Sequence, residues 1–310
     1  MPKTSEEVSI FPTKILLAAD GSKDAELATA TAVGLAKSTS SKLDIVHVFV
    51  LPSKTLDESL SFDNSAREAP EEKAQAKIEE LVGKTETFGG AIEKSHFRMG
   101  QPDVEIVALA EELGAGLVVV GSRGLSPRKR ALMGSVSESV VRHAHCSVLV
   151  VRGSGSGEDR DYLPGCILLA FDGSKDAEAA ARAALEISNV VGSELHVLCV
   201  VQLPYAGPFA WEVDVEKIKQ NARSMVDRQA QQIEATRGKV KEVHLASGKP
   251  YAEIVRFAEE LGAGLVVMGT RGLGRLQRAL IGSISENVVR HAHCPVMVVR
   301  IEKSRRREEA

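Results

Sequence analysis

The chain has 310 residues, of which 44% are hydrophobic and 26% charged, and its net charge is −3. This length predicts two domains of ordinary globular composition. A near-neutral balance and only 4% aromatic residues exclude a global electrostatic or base-stacking case for nucleic acid, so any anion site must be local.

Along the first half, Lys14–Ala19 is a short apolar run that meets the turn Asp20-Gly21-Ser22 and reads as a strand. Asp24–Lys37 carries alanines and leucines at helical spacing. Leu43–Val50 reads as a second strand, Glu71–Val82 as a helix and His96–Met99 as a brief third strand before Gly100. Val104–Leu113 is an amphipathic helix closed by Gly114, Leu117–Val120 a fourth strand, Ser135–Ala144 a helix and Ser147–Val151 a fifth strand. The second half repeats the order, with strands at Cys166–Phe171, Glu194–Val201, Val243–Ala246, Leu265–Met268 and Pro295–Val299. Strands alternating with helices, and apolar along their length, predict an α/β fold with a parallel sheet covered on both faces.

The two halves are copies. Residues 15–26 and 167–178 are identical at 11 of 12 positions, and 117–152 aligns without a gap on 265–300 with 25 of 36 identical. The offset falls from 152 to 148 between these blocks, so the second copy is four residues shorter there. A period this long exceeds any solenoid unit, so each copy must bury its own core. The expected domains are 10–152 and 163–301, joined by a Gly/Ser-rich and charged linker at 153–162 and followed by a charged tail at 302–310.

No apolar run approaches the roughly 18 residues that a membrane span requires. The start MPKTSEEVSIFPTK lacks a basic stretch leading into an apolar one, so no signal peptide is expected. Cys146, Cys166, Cys199 and Cys294 form no CxxC pair and read as reduced, buried thiols. These features together predict a cytoplasmic protein with no membrane partner.

After the fourth strand of each copy comes the spacing G-x2-G-x9-G-S: Gly121, Gly124, Gly134 and Ser135, then Gly269, Gly272, Gly282 and Ser283. Glycines let a backbone approach a ligand closely, and a helix N-terminus offers unpaired N–H groups to an anion. Arg128, Lys129 and Arg130 in one loop, and Arg275 and Arg278 in the other, add positive charge. A competing explanation needs no ligand: Ser135-x-x-Glu138 and Ser283-x-x-Glu286 also fit a capping box. Asp20-Gly21-Ser22 and Asp172-Gly173-Ser174 end the first strands, where a carboxylate can accept from ribose hydroxyls or a base amine. Such an Asp also fits simple turn or N-cap chemistry.

With these motifs, both copies resemble the universal stress protein domain, and the pair resembles its tandem, ATP-binding form. The resemblance covers nearly the whole chain outside the ends and linker. It implies two Rossmann-like domains, each a five-stranded parallel sheet of order 3-2-1-4-5 with helices on both faces, and ATP with Mg²⁺ or Mn²⁺ at the switch point. By position, Gly121, Gly124, Gly134 and Ser135 would hold phosphates, with Val136 and Ser137 on the same helix start. Asp20, Ala18 and Ala19 would contact the nucleoside, and Val48 would pack the base. The second set is Gly269, Gly272, Gly282, Ser283, Ile284, Ser285, Asp172, Ala170, Phe171 and Val197. Phe171 replaces Ala19 and the loop residues differ, so the two sites are not expected to be equal.

The resemblance also implies fifth strands paired edge to edge. Here Ser147–Val151 and Pro295–Val299 are expected to meet within one chain, with a homodimer of the whole chain still compatible. The function implied is a stress-response protein that senses or sequesters adenine nucleotide, with no catalytic residue assigned. No Walker lysine motif occurs, and no Ser–His–Asp grouping is recognisable by spacing. A slow ATPase or nucleotidyl transferase, and a nucleotide-free interaction module, are the alternatives. His143/His145 and His291/His293 resemble metal ligands, but residues two apart on a helix diverge, so no metal site is assigned. Trp211 reads as a core, lid or interface residue.

Overall fold

A computed structural model describes residues 10–11, 13–50, 65–124, 133–153, 163–202, 214–236, 238–272 and 281–301, with the backbone alone described over 65–74. Linker residues 154–162, tail residues 302–310, Trp211 and the basic loop residues Arg128, Lys129, Arg130, Arg275 and Arg278 lie outside the described residues.

The first copy runs β1 (Lys14–Ala18), α1 (Lys23–Thr39), β2 (Lys42–Phe49), α2 (Ser65–Thr87), β3 (Ile92–Met99), α3 (Pro102–Leu113), β4 (Leu117–Gly121), α4 (Ser135–His143) and β5 (Ser147–Val151). The second runs β6 (Cys166–Ala170), α5 (Lys175–Val191), β7 (Glu194–Val201), α6 (Val215–Ala235), β8 (Val240–Ser247), α7 (Pro250–Glu260), β9 (Leu265–Gly269), α8 (Ser283–His291) and β10 (Val296–Val299). The α/β architecture is as expected. These ten strands form one sheet of order β3-β2-β1-β4-β5-β10-β9-β6-β7-β8, so each copy has the order 3-2-1-4-5.

The two halves join where β5 and β10 pair antiparallel, with Leu149 opposite Met297. The other pairings among the described strands are parallel. Each fifth strand thereby covers the other's open edge, as the family resemblance implies. Charges from α4 and α8 cross the same seam: Arg142 donates to Glu286 at 2.8 Å and Arg290 to Glu138 at 2.8 Å.

Two apolar clusters sandwich the sheet. One holds Leu17 and Val119 from the strands with Ala28, Leu81, Ala180 and Val226 from α1, α2, α5 and α6. The other holds Leu16 and Val118 with Ile106, Val140, Ile254 and Val288 from α3, α4, α7 and α8. The central strands are apolar throughout because both faces are covered.

The sequence reading differs from the structure chiefly at the sheet's outer strands. β3 begins at Ile92 rather than His96, and β8 spans Val240–Ser247 rather than Val243–Ala246. Both are edge strands, and Glu93, Lys94 and Glu242 on them are exposed, so a search for apolar runs misses their charged beginnings. Helix α2 likewise extends beyond Glu71–Val82 at both ends.

Candidate functional site

The strand order reverses between β1 and β4, and again between β6 and β9, leaving a crevice at the carboxyl ends of each pair. In the first copy, Asp20 and Gly124 meet across it. A β-carbon on Gly124 would stand 2.6 Å from Asp20 Oδ2, so any larger residue there would have to displace this carboxylate or the loop. Gly272 meets the Oδ2 of Asp172 in the same way. The other Asp20 oxygen accepts from the Ser22 N–H at 2.9 Å, and Asp172 accepts from Ser174 at 3.0 Å. The turn role and the crevice position therefore coexist in one side chain.

Gly121 has a different reason to be glycine. A β-carbon there would stand 2.8 Å from the backbone carbon of Asp24, and one on Gly269 would stand 2.7 Å from that of Asp176. These glycines let β4 and β9 pass against the N-termini of α1 and α5.

Gly134 is the N-cap of α4 (φ −70°, ψ 148°) and makes no side-chain cap bond; Gly282 opens α8 in the same way (φ −77°, ψ 146°). This removes the capping-box explanation, which requires Ser135 and Ser283 at the cap position. Ser135 is instead the first helical residue and exposed, as is Ser283. Glu138 and Glu286 turn away to the arginines at the seam. Each helix thus opens on a glycine cap, tied by its N–H to the carbonyl of Ser122 or Thr270 at the end of β4 or β9.

Ser137 and Ser285 have another task. Both are buried; Ser137 Oγ donates to the carbonyls of Ser122 and Gly134, each at 3.0 Å, and Ser285 Oγ to that of Gly269 at 2.9 Å. Their hydroxyls brace the loop. Val136 and Ile284 are partly buried against the cluster beneath α3, α4, α7 and α8.

The motif spacing does not reveal the frame around each loop. Buried Asp24 accepts from Ser122 Oγ at 2.6 Å and from Arg123 Nε at 3.0 Å, while Ser22 Oγ donates to the Arg123 carbonyl at 3.1 Å. Asp24 raises the Arg123 pKa through this hydrogen bond and its charge. In the second copy Thr270 Oγ1 donates to Asp176 at 2.6 Å, Arg271 Nε lies 3.4 Å from the same carboxylate, and Ser174 Oγ donates to the Arg271 carbonyl at 3.1 Å. One signal in the sequence marks this frame: Asp24/Asp176, Arg123/Arg271 and Ser122/Thr270 keep their chemistry in both copies.

Ala18 and Val48 are partly buried against one cluster, while Ala19 is buried in the other. Strand register corrects the second copy. Ala18 pairs with Val46 and Ala170 with Leu198, so the counterpart of Val48 is Val200, not Val197. Val197 is fully buried in the cluster beneath α5 and α6, on the opposite sheet face from Val200. Phe171 is also only 5% exposed and belongs to that inner cluster, so its ring fills core.

The two crevices differ along one side. His47 Nδ1 lies 2.8 Å from the Ala19 carbonyl, and its counterpart in the second copy is Cys199. Lys77 Nζ lies 2.7 Å from where a β-carbon on Gly21 would stand, whereas the Met225 sulfur occupies the matching place on Gly173. At these two positions the first copy is polar and the second apolar.

His143 and His145 do not converge. His143 Nδ1 turns back to the Ser139 carbonyl at 2.9 Å, while His145 Nε2 lies 3.3 Å from Glu111 of α3. His291 turns back to Asn287 at 2.8 Å, and His293 lies 3.9 Å from Glu259. The four cysteines are free. No helix among the described residues is long and apolar enough to cross a membrane.

The fold and crevices define tandem Rossmann-like α/β domains, fused through their fifth strands. The sequence profile described as "Universal stress protein family" matches residues 12–152 and again 166–300, and the chain belongs to this family. A universal stress protein of Mycolicibacterium smegmatis is 28% identical over 295 residues, covering 92% of this chain and 96% of its own. One from Methanocaldococcus jannaschii is 36% identical over 141 residues, covering 44% of this chain and 82% of its own length. The crystal structure of a universal stress protein from Archaeoglobus fulgidus superposes with a TM-score of 0.68 at 27% identity, over 94% of this chain and 97% of that one.

Proposed function

We propose that this chain binds adenine nucleotide, as ATP with Mg²⁺ or Mn²⁺, at two sites and acts as a stress-response protein that senses or sequesters it. The observation that carries this reading is the pairing of Asp20 with Gly124 beside the glycine-capped start of α4, repeated at Asp172, Gly272 and α8. The carboxylate suits nucleoside hydroxyls or an amine, and the helix N-terminus suits phosphate oxygens. The exposed hydroxyls of Ser135 and Ser283 stand at that N-terminus.

In the first site Gly121 and Ser137 support the loop, Gly124, Gly134, Ser135 and the backbone near Val136 meet phosphates, and Ala18, Ala19, Asp20 and Val48 meet the nucleoside. In the second, Gly269 and Ser285 support, Gly272, Gly282, Ser283 and Ile284 meet phosphates, and Ala170, Phe171's backbone, Asp172 and Val200 meet the nucleoside. The domains are 10–152 and 163–301. Asp24 and Asp176 are committed to holding the loops, which favours binding over turnover.

Native mass spectrometry of nucleotide-stripped protein with added MgATP tests the reading. Two bound nucleotides are expected for the wild type and one for Gly134→Val, whose branched side chain would crowd the Ser122 carbonyl and Arg123. Two nucleotides retained at equal occupancy in that variant would refute the assignment.

A further inference from the structure

We propose that His196, His244 and Glu242 form a binding site for a divalent transition-metal ion of the zinc class. The site spans the amino-terminal half of β7 and the middle of β8, on the sheet face that α7 covers, and uses none of the residues assigned to nucleotide.

His196 Nδ1 and His244 Nε2 face each other at 3.0 Å, with their rings stacked at a centroid separation of 5.3 Å. Glu242 Oε2 lies 4.0 Å from the same His244 nitrogen. The ligating atoms of the three residues all fall within 4.8 Å of one another. Two nitrogens bound tetrahedrally to one zinc ion at its usual bond length stand about 3.3 Å apart, so a few tenths of an ångström of opening admits the ion. Two imidazoles and one carboxylate are the donor set of an open zinc-class site, with water completing the coordination.

The parallel register creates this cluster. It pairs His196 with Glu242 and Leu198 with His244, and side chains two apart on a strand share a face. His196 is buried, His244 is partly buried against the Phe257 ring at 5.2 Å, and Glu242 is exposed, so the site opens to water on one side. Glu194 Oε2 lies 4.0 Å from the other ring nitrogen of His196. That carboxylate also accepts from Lys241 at 3.0 Å, and it would have to approach by about 1 Å to orient a metal-bound imidazole. Both imidazoles would bind in their neutral form.

The first copy supplies an internal control. The matching positions are Asp44, Lys94 and His96. His96 Nε2 is bonded to Asp44 Oδ2 at 2.9 Å, and Lys94 stands where the second copy has its carboxylate. That trio is a hydrogen-bonded His–Asp pair beside a lysine, and it lacks the second imidazole and the free carboxylate of the other copy. A metal at His196–His244–Glu242 would cross-link β7 to β8, the outermost strand of the second copy.

The test is titration of chelator-treated, full-length protein with Co²⁺, read by its visible d–d absorption, followed by displacement with Zn²⁺. One Co²⁺ per chain is expected, with at least a tenfold weaker affinity in Glu242→Gln, whose change is at an exposed side chain. Loss of the bands is expected in His244→Asn and no change in His96→Asn, with circular dichroism confirming that each variant is folded. Absence of the bands in the wild type would overturn the proposal. So would unchanged affinity in Glu242→Gln, or bands that persist in His244→Asn or vanish in His96→Asn.

Discussion

Asp20 and Gly124 come from opposite ends of one copy, yet the Asp20 Oδ2 atom stands 2.6 Å from the point that a Gly124 β-carbon would occupy. Gly124→Ala is therefore expected to displace either the carboxylate or the loop. MgATP affinity at the first site should fall at least tenfold, about 1.4 kcal/mol, while the second site keeps its own. Calorimetric titration should then report one strong site where the wild type has two.

Asp24 predicts an effect on stability as well as binding. Its buried carboxylate accepts from both Ser122 and Arg123. Asp24→Ala leaves that buried hydroxyl without its acceptor, at a cost of about 2 kcal/mol. Asp24→Asn keeps an acceptor for Ser122 and should cost less. Urea unfolding of the two variants checks the order, and equal loss in both would show that the hydroxyl contact is not what matters.

Lys77 and Met225 predict unequal sites. The Lys77 ammonium lies over Gly21 in the first copy and also pairs with Glu80 at 2.8 Å, while Met225 takes its place in the second. A single charge some ångströms from a phosphate in a watery cleft contributes about 1 kcal/mol at most. Lys77→Met should weaken the first site about threefold to fivefold at low salt and by less at high salt. A salt-independent change would point to packing instead.

Two buried thiols set an alkaline limit on stability. Burial, with the nearby Asp172 charge, pushes Cys199 from 9.0 up to about 11, and burial pushes Cys294 up to about 12. The unfolded chain ionises these groups near their ordinary value, while the folded chain keeps its protons. Stability from them is complete at neutral pH and declines as pH rises toward the folded values, by about 1.4 kcal/mol per pH unit per thiol. Between about pH 8 and about pH 10 the wild type should lose about 3 kcal/mol more than a Cys199→Ala, Cys294→Ala double variant, measured by urea unfolding. Identical pH profiles would contradict this.

The central strands are legible in the sequence because burial on both faces makes β1 and β4 continuous apolar runs, and the glycine spacing marks the loop. Edge strands are less so, since Glu93 and Lys94 begin β3 in water. The sequence misplaces the Val48 counterpart because β7 is apolar at nearly every position, and only pairing to β6 decides which valine faces which way. Nor does it distinguish Ser137, which braces the loop, from Ser135, which faces outward, because that depends on which residue caps α4. The His196–His244–Glu242 cluster is hidden for a related reason: its members sit on two strands and meet only through register.

Nucleotide binding in both crevices is tested most directly by isothermal titration of nucleotide-stripped wild-type protein with MgATP. Two binding events per chain, unequal in affinity, are the predicted result; no heat of binding with either ATP or AMP would contradict it.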